Sequence, residues 1–149
     1  MNSALTALAR TAHLDHDHNF DLRIAFGVAC MQRVRHLIVS DEALEALDVA
    51  AAYVLGEVDL DALQRAARAT REIAASHPGS GMIDGSGTAA VSATTGLARA
   101  LEGRALDAAG YAAYAAVYAY SGSAVTDPRA YAEEFGWQYQ TLAHMLKVR

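Results

Sequence analysis

Lysine, cysteine and proline are nearly missing from this sequence: the only lysine is Lys147, the only cysteine Cys30, and the only prolines Pro78 and Pro128. A lone cysteine excludes an internal disulfide, and Cys30 falls among apolar residues where a small hydrophobe is wanted, so burial is expected rather than a reactive thiol. The bias toward arginine reads as genomic composition before function. Charge is scarce too, at 19% of residues with a net charge of −5, and no basic patch offers a nucleic-acid surface. No unbroken run of 18 apolar residues could span a membrane. The first residues lack a basic stretch followed by an apolar one, so no secretion signal is expected and a cytoplasmic location is. With 53% hydrophobic residues the chain is too apolar for disorder. Its 149 residues suit one domain, which at this size buries roughly two thirds of its unfolded surface without metal or disulfide.

Sustained alternation of apolar and polar residues is the remaining absence, whereas spacings of three and four recur almost everywhere. The sequence therefore predicts an all-α fold, a compact bundle of about six to seven helices packed as antiparallel hairpins, in a single domain over residues 1–149. A short helix near Ser3 to Ala12 leads into a His/Asp-rich connector that ends at residue 19. A second helix runs from about Asp21 to Val39. Ser40 or Asp41 caps a third, with a stripe of Leu44, Leu47, Ala51, Val54 and Leu55 and a stop at Gly56. Asp59 caps a fourth, with a stripe of Leu60, Leu63, Ala67, Thr70 and Ala74 and a solvated face of Asp61, Arg65, Arg68 and Glu72. Residues 77–87 form a glycine-rich loop. A fifth helix ends at Gly103, a sixth covers about Leu106 to Tyr120, and Asp127 with Pro128 opens a last helix to about Lys147. Its stripe is Tyr131, Phe135, Tyr139, Leu142, Met145 and Leu146.

Polar residues set into apolar faces are the next signal. Arg23 points into the apolar arc of the second helix, Arg33 lies at its edge, and Gln138 falls in the middle of the last helix's stripe. A buried guanidinium or amide without partners is costly. Arg23, Cys30, Arg33 and Gln138 are thus expected to form a structural polar core, with Arg23 and Gln138 satisfied by backbone carbonyls, by each other or by a carboxylate.

Candidate chemistry is sparse. His13, His16 and His18, with Asp15 and Asp17 between them, form the one metal-like cluster, but the spacing H-x-x-H-x-H matches no familiar zinc pattern and reads as a solvated connector. The glycine loop lacks the lysine and the preceding strand of a phosphate-binding loop. No catalytic residue and no cofactor are expected. Tyr111, Tyr114 and Tyr118 share one face of the sixth helix, as core packing or as an aromatic binding surface. The stretch from Asp41 to Asp61 holds seven acidic residues and no basic one. It is either a solvated helix face or a steering surface for a basic partner, with Glu42, Glu45, Asp48, Asp59 and Asp61 as the contact candidates.

Two segments carry a family likeness: the helix with Arg23, Phe26, Cys30, Arg33 and Val34, and the late Gly136, Trp137 and Gln138 followed by Leu142. Together with the alanine-rich hairpin LEALDVAAAYVLGEVDLDALQRAARAT, they resemble the bacterial immunity proteins with an Imm-5-like domain. The resemblance spans roughly Phe20 to Leu146, while the HLDHDH connector and the glycine loop are peculiar to this chain. It implies a cytoplasmic antidote that binds a cognate toxin and blocks it sterically, and it assigns no contact residue; no enzymatic activity is expected, and the chain is expected as a monomer or homodimer. Two other readings stand beside it: a small metal-dependent enzyme built on His13, His16 and His18, and a helical module that pairs with a second copy through its tyrosine face.

Overall fold

The computed structural model describes residues 1–76 and 86–148, and the glycine-rich stretch ahead of Ser86 lies outside them. The described residues form seven α-helices: α1 (Ser3–Thr11), α2 (Phe20–Arg33), α3 (Asp41–Val54), α4 (Leu60–Ser76), α5 (Ser86–Leu101), α6 (Ala105–Tyr120) and α7 (Ala132–Lys147). Short 3-10 turns at Asp17–Asn19, Arg35–Leu37, Gly122–Thr126 and Pro128–Tyr131 join them, and none of the described residues is in a strand. No helix among them is long and apolar enough to cross a membrane.

Helix α5 lies at the centre, packed against α2, α3, α4 and α6. It can do so because it carries small side chains on most sides: Ala89, Ala90, Ala93, Ala98 and Ala100 are all buried, as are Leu97 and Leu101. Close approach is the result. A methyl added at Gly27 of α2 would stand 3.0 Å from the Ala100 Cβ, and one at Gly96 would stand 3.0 Å from the Tyr111 Cβ. Phe26, Ile24, Met31, Leu47, Leu63 and Leu142 fill the rest of the core. The buried hydroxyls of Thr70 and Thr94 donate to the carbonyls of Ala66 and Ala90, each at 2.8 Å, so neither is orphaned inside its helix.

The caps sit where their residue types predict. Ser40 accepts from the Ala43 amide, and Asp59 accepts from the Ala62 amide. Gly56 and Gly103 take φ of +76° and +81°, the left-handed conformation in which glycine ends a helix at least cost. The chain then turns sharply enough for α3 to fold back on α4 and α5 on α6.

Four expectations are corrected. Helix α2 stops at Arg33 rather than Val39: Val34 leaves helical geometry, Arg35–Leu37 form a 3-10 turn, and Ile38 is extended where the chain leads into the Ser40 cap. The buried face of α3 is Ala43, Ala46, Leu47 and Ala50, whereas Val54 and Leu55 are exposed, as is Leu60 of α4. Close helix packing selects the alanines over the larger residues beside them. The last helix begins only at Ala132, since Asp127 caps the separate turn Pro128–Tyr131 through the Arg129 amide. Tyr139 of α7 is exposed, while Gln138 beside it is buried.

Candidate functional site

Arg23 and Gln138 are both stitched to backbone. The Arg23 Nε donates to the Gly103 carbonyl at 3.0 Å, and its Nη1 donates to the carbonyls of Leu14 and His16, each at 2.8 Å. One guanidinium thereby ties α2 to the connector before it and to the α5–α6 turn. Gln138 is 1% exposed. Its Nε2 donates to the Ala109 carbonyl at 2.8 Å, and its Oε1 accepts from the Asn2 side chain at 3.3 Å, joining α7 to α6 and to the start of α1. The two groups do not bond each other, and neither has a carboxylate partner among the described residues.

Arg33 meets Glu134 through two hydrogen bonds of 2.8 and 3.2 Å, and its guanidinium carbon stands 4.7 Å from the centroid of the Trp137 ring. That bond to Glu134 holds the Arg33 pKa above its ordinary value. Cys30 lies one helical turn before it, and burial first, with the nearby Glu134 charge second, pushes the Cys30 thiol up to about 12. The thiol stays protonated at neutral pH, which makes it a poor nucleophile. A thiol-specific reagent at pH 8 should label the native protein at least a hundredfold more slowly than the unfolded chain. Rapid native labelling, followed by mass spectrometry, would show an open route to Cys30.

The connector histidines are exposed. The His13 and His16 ring centroids are 4.7 Å apart, and those of His16 and His18 are 5.6 Å apart. Yet among the described residues no three His, Cys, Asp or Glu side chains are arranged to hold a metal ion. The segment is instead held through its backbone: Leu14 and His16 accept from Arg23, and the His13 carbonyl accepts from Asn19 at 2.8 Å.

The acidic stretch does not form one surface. Helix α3 spans about 20 Å at 1.5 Å per residue, so Asp41, Glu42 and Glu45 lie at one end and Glu57, Asp59 and Asp61 at the other. Three of the candidates have local partners. Asp48 pairs with Arg35 at 2.9 Å, Asp61 with Arg65 at 3.4 Å, and Asp59 is spent on its cap. Glu42 and Glu45 are exposed on the outer edge of α3 and take part in no ion pair among the described residues. Six arginines, by contrast, are engaged by carboxylates of the chain itself: Arg33, Arg35, Arg65, Arg71, Arg104 and Arg129.

The structure lies between the two readings open for the tyrosine face of α6, with Tyr114 and Tyr118 half-buried and Tyr111 37% exposed. Tyr111 and Tyr114 do not close into a core but line an open groove of about 800 Å³. Leu5 and Thr6 of α1 form one side, Tyr131 and Phe135 another, and Gln138 also lines it. The missed signal was the 3-10 turn at Pro128–Tyr131, which brings Tyr131 opposite α6. At Thr6, Leu106 and Asp107 the groove meets a second of about 560 Å³, lined also by Arg10, Arg23 and Arg104. Comparison of the chain with family models, with curated proteins and with solved structures finds no match.

Proposed function

We propose that this chain is a non-enzymatic, partner-binding protein of the immunity type, which docks a basic toxin on the outer edge of α3 and blocks it sterically. One observation carries the reading. Glu42 and Glu45 stand exposed and unpaired at that edge, in a molecule of net charge −5 in which six arginines are already paired with its own carboxylates. The unbalanced negative charge there faces outward, which is the arrangement that accelerates encounter with a positive partner. The scaffold behind it suits a rigid docking face: α3 packs on α2, α4 and α5, its first turn is capped by Ser40, and Tyr53 ties its last turn to Asp21 at 2.6 Å. The resemblance of Arg23, Cys30, Arg33 and Trp137–Gln138 to Imm-5-like proteins supplies the biological role, with the cytoplasm as the place of action. Asp48 stays paired with Arg35, while Asp59 and Asp61 lie at the far end of α3 with partners of their own, so the docking edge rests on Glu42 and Glu45.

The reading expects a neighbouring reading frame to encode a toxin-domain protein, and co-expression with that protein tests it. The native chain should restore growth, and the E42K/E45K variant should restore it at least tenfold less well while keeping the native circular dichroism spectrum. Equal rescue by both would move the docking face elsewhere. Failure of the native chain to rescue would contradict the antidote reading.

A further inference from the structure

The groove of about 560 Å³ between α1, the connector and the α5–α6 turn has a charge that the antidote reading does not use. Arg10, Arg23 and Arg104 line it, together with the acids Asp15, Glu102 and Asp107. Two of these acids are matched within the chain. Asp107 pairs with Arg104 at 2.6 Å, and Glu102 faces Arg71 at 3.7 Å. What remains is Arg10 and Arg23 against Asp15 alone, a positive surplus in a chain of net charge −5. The groove thus carries the sign opposite to that of the molecule, and its field draws anions.

Both guanidiniums have donors to give. Arg23 directs its Nε–H to Gly103 and its two Nη1–H groups to Leu14 and His16, all neutral carbonyls. Its Nη2 therefore keeps two N–H groups, and its charge meets no carboxylate among the described residues. The same three bonds fix the guanidinium before any ligand arrives, so little side-chain freedom is lost on binding. Arg10, exposed in the last turn of α1, makes no side-chain hydrogen bond and no ion pair among the described residues. Its whole fork is available.

We propose that this groove binds a phosphate group, free or as the monoester of a small molecule, between Arg10 and the Arg23 Nη2. Two guanidiniums that stand on different elements and line one groove share a ligand best when it presents oxygens in more than one plane. A tetrahedral phosphate does so, whereas a planar carboxylate is filled by a single fork. The volume lies within the range of small-molecule sites, roughly 300–1,000 Å³, and Ala9, Leu14 and Leu106 supply apolar wall for the body of an ester.

Inorganic phosphate, glycerol 3-phosphate and acetate test this, each titrated into the full chain at pH 8 and constant ionic strength so that general screening does not change. Phosphate should give saturable NMR shifts at the backbone amides of Leu14 and of residues 103–107, and acetate should bind at least tenfold more weakly. Tighter binding of glycerol 3-phosphate than of phosphate would assign the site to an ester, and equal binding would assign it to the free ion. Arg10→Gln removes a side chain that makes no bond within the chain, so it should leave the melting temperature of the unliganded protein unchanged and weaken phosphate binding at least fivefold. Arg65→Gln, outside the groove, should change nothing. Shifts that do not saturate, saturable shifts confined to other residues, equal affinity for acetate, or native affinity in the Arg10→Gln variant would each overturn the proposal.

Discussion

Replacing Arg23 by alanine should lower the unfolding free energy by about 3–4 kcal/mol and the melting temperature by roughly 10 °C. The guanidinium makes three short hydrogen bonds to the carbonyls of Leu14, His16 and Gly103, which belong to two segments separated in sequence by most of the chain. A hydrogen bond involving a charged donor contributes about 1.5–3 kcal/mol, and the bonds are not additive because removing one group frees the others to find water. Part of the loss is packing. The Arg23 guanidinium lies 5.7 Å from the Phe20 ring centroid, and Phe20 in turn sits within 3.3 Å of where a Gly103 Cβ would be. Arg23→Lys should recover less than half of the deficit, because an ammonium cannot reproduce the planar fork that reaches both segments. Denaturant unfolding of the three proteins measures this, and a loss below about 1 kcal/mol for the alanine variant would show the stitch to be incidental.

A loss of about 3 kcal/mol is expected for Gly27→Val, by a different route. Gly27 is fully inside the α2–α5 contact, where an added Cβ would stand 3.0 Å from the Ala100 Cβ and 3.3 Å from its Cα. The second atom is backbone, so relief requires the helices to move apart rather than a side chain to rotate. Gly27→Ala adds the same Cβ without the branches. Its helix propensity, worth about 1 kcal/mol over glycine, offsets part of the clash, and a net loss of roughly 1 kcal/mol remains. The compensating pair G27A/A100G moves the methyl from one helix to the other and should return the stability to within about 1 kcal/mol of native. A double-mutant cycle with no coupling between positions 27 and 100 would contradict the close approach.

The helices were legible because their signals are local. Ser40, Asp59, Gly56 and Gly103 mark ends by chemistry that acts within a few residues, and each does so in the structure. The need of Arg23 for acceptors was equally plain, since burying a guanidinium alone is prohibitive. Its actual partners were not, because backbone carbonyls have no side-chain signature to read. Glu134, 101 residues from Arg33, was likewise hidden: nothing in either segment specifies the other until both helices dock. Reading α3 by hydrophobicity put its stripe on Val54 and Leu55, because leucine outranks alanine on any transfer scale, whereas helix contacts this close admit alanine. The tyrosine face stayed open between two readings for a different reason. Periodicity places Tyr111 and Tyr114 on one side of α6 but says nothing of what stands opposite, and that depended on the turn at Pro128–Tyr131. The acidic stretch was legible as charge but not as a surface, because a helix of 14 residues carries its two ends about 20 Å apart.

The proposed docking of a basic toxin on the α3 edge predicts a kinetic signature that steric fit alone does not. Attraction between an exposed acidic edge and a positive partner is screened within about 10 Å at 0.1 M salt, so it acts on the rate of encounter more than on the lifetime of the complex. The decisive measurement is the association rate of the purified chain with the toxin-domain protein that the proposal expects, by stopped flow, as ionic strength rises from about 10 mM to 500 mM. The rate should fall at least tenfold for the native chain and change little for E42A/E45A, with dissociation nearly constant in both. An association rate indifferent to salt, or equally sensitive in the two proteins, would contradict docking through Glu42 and Glu45.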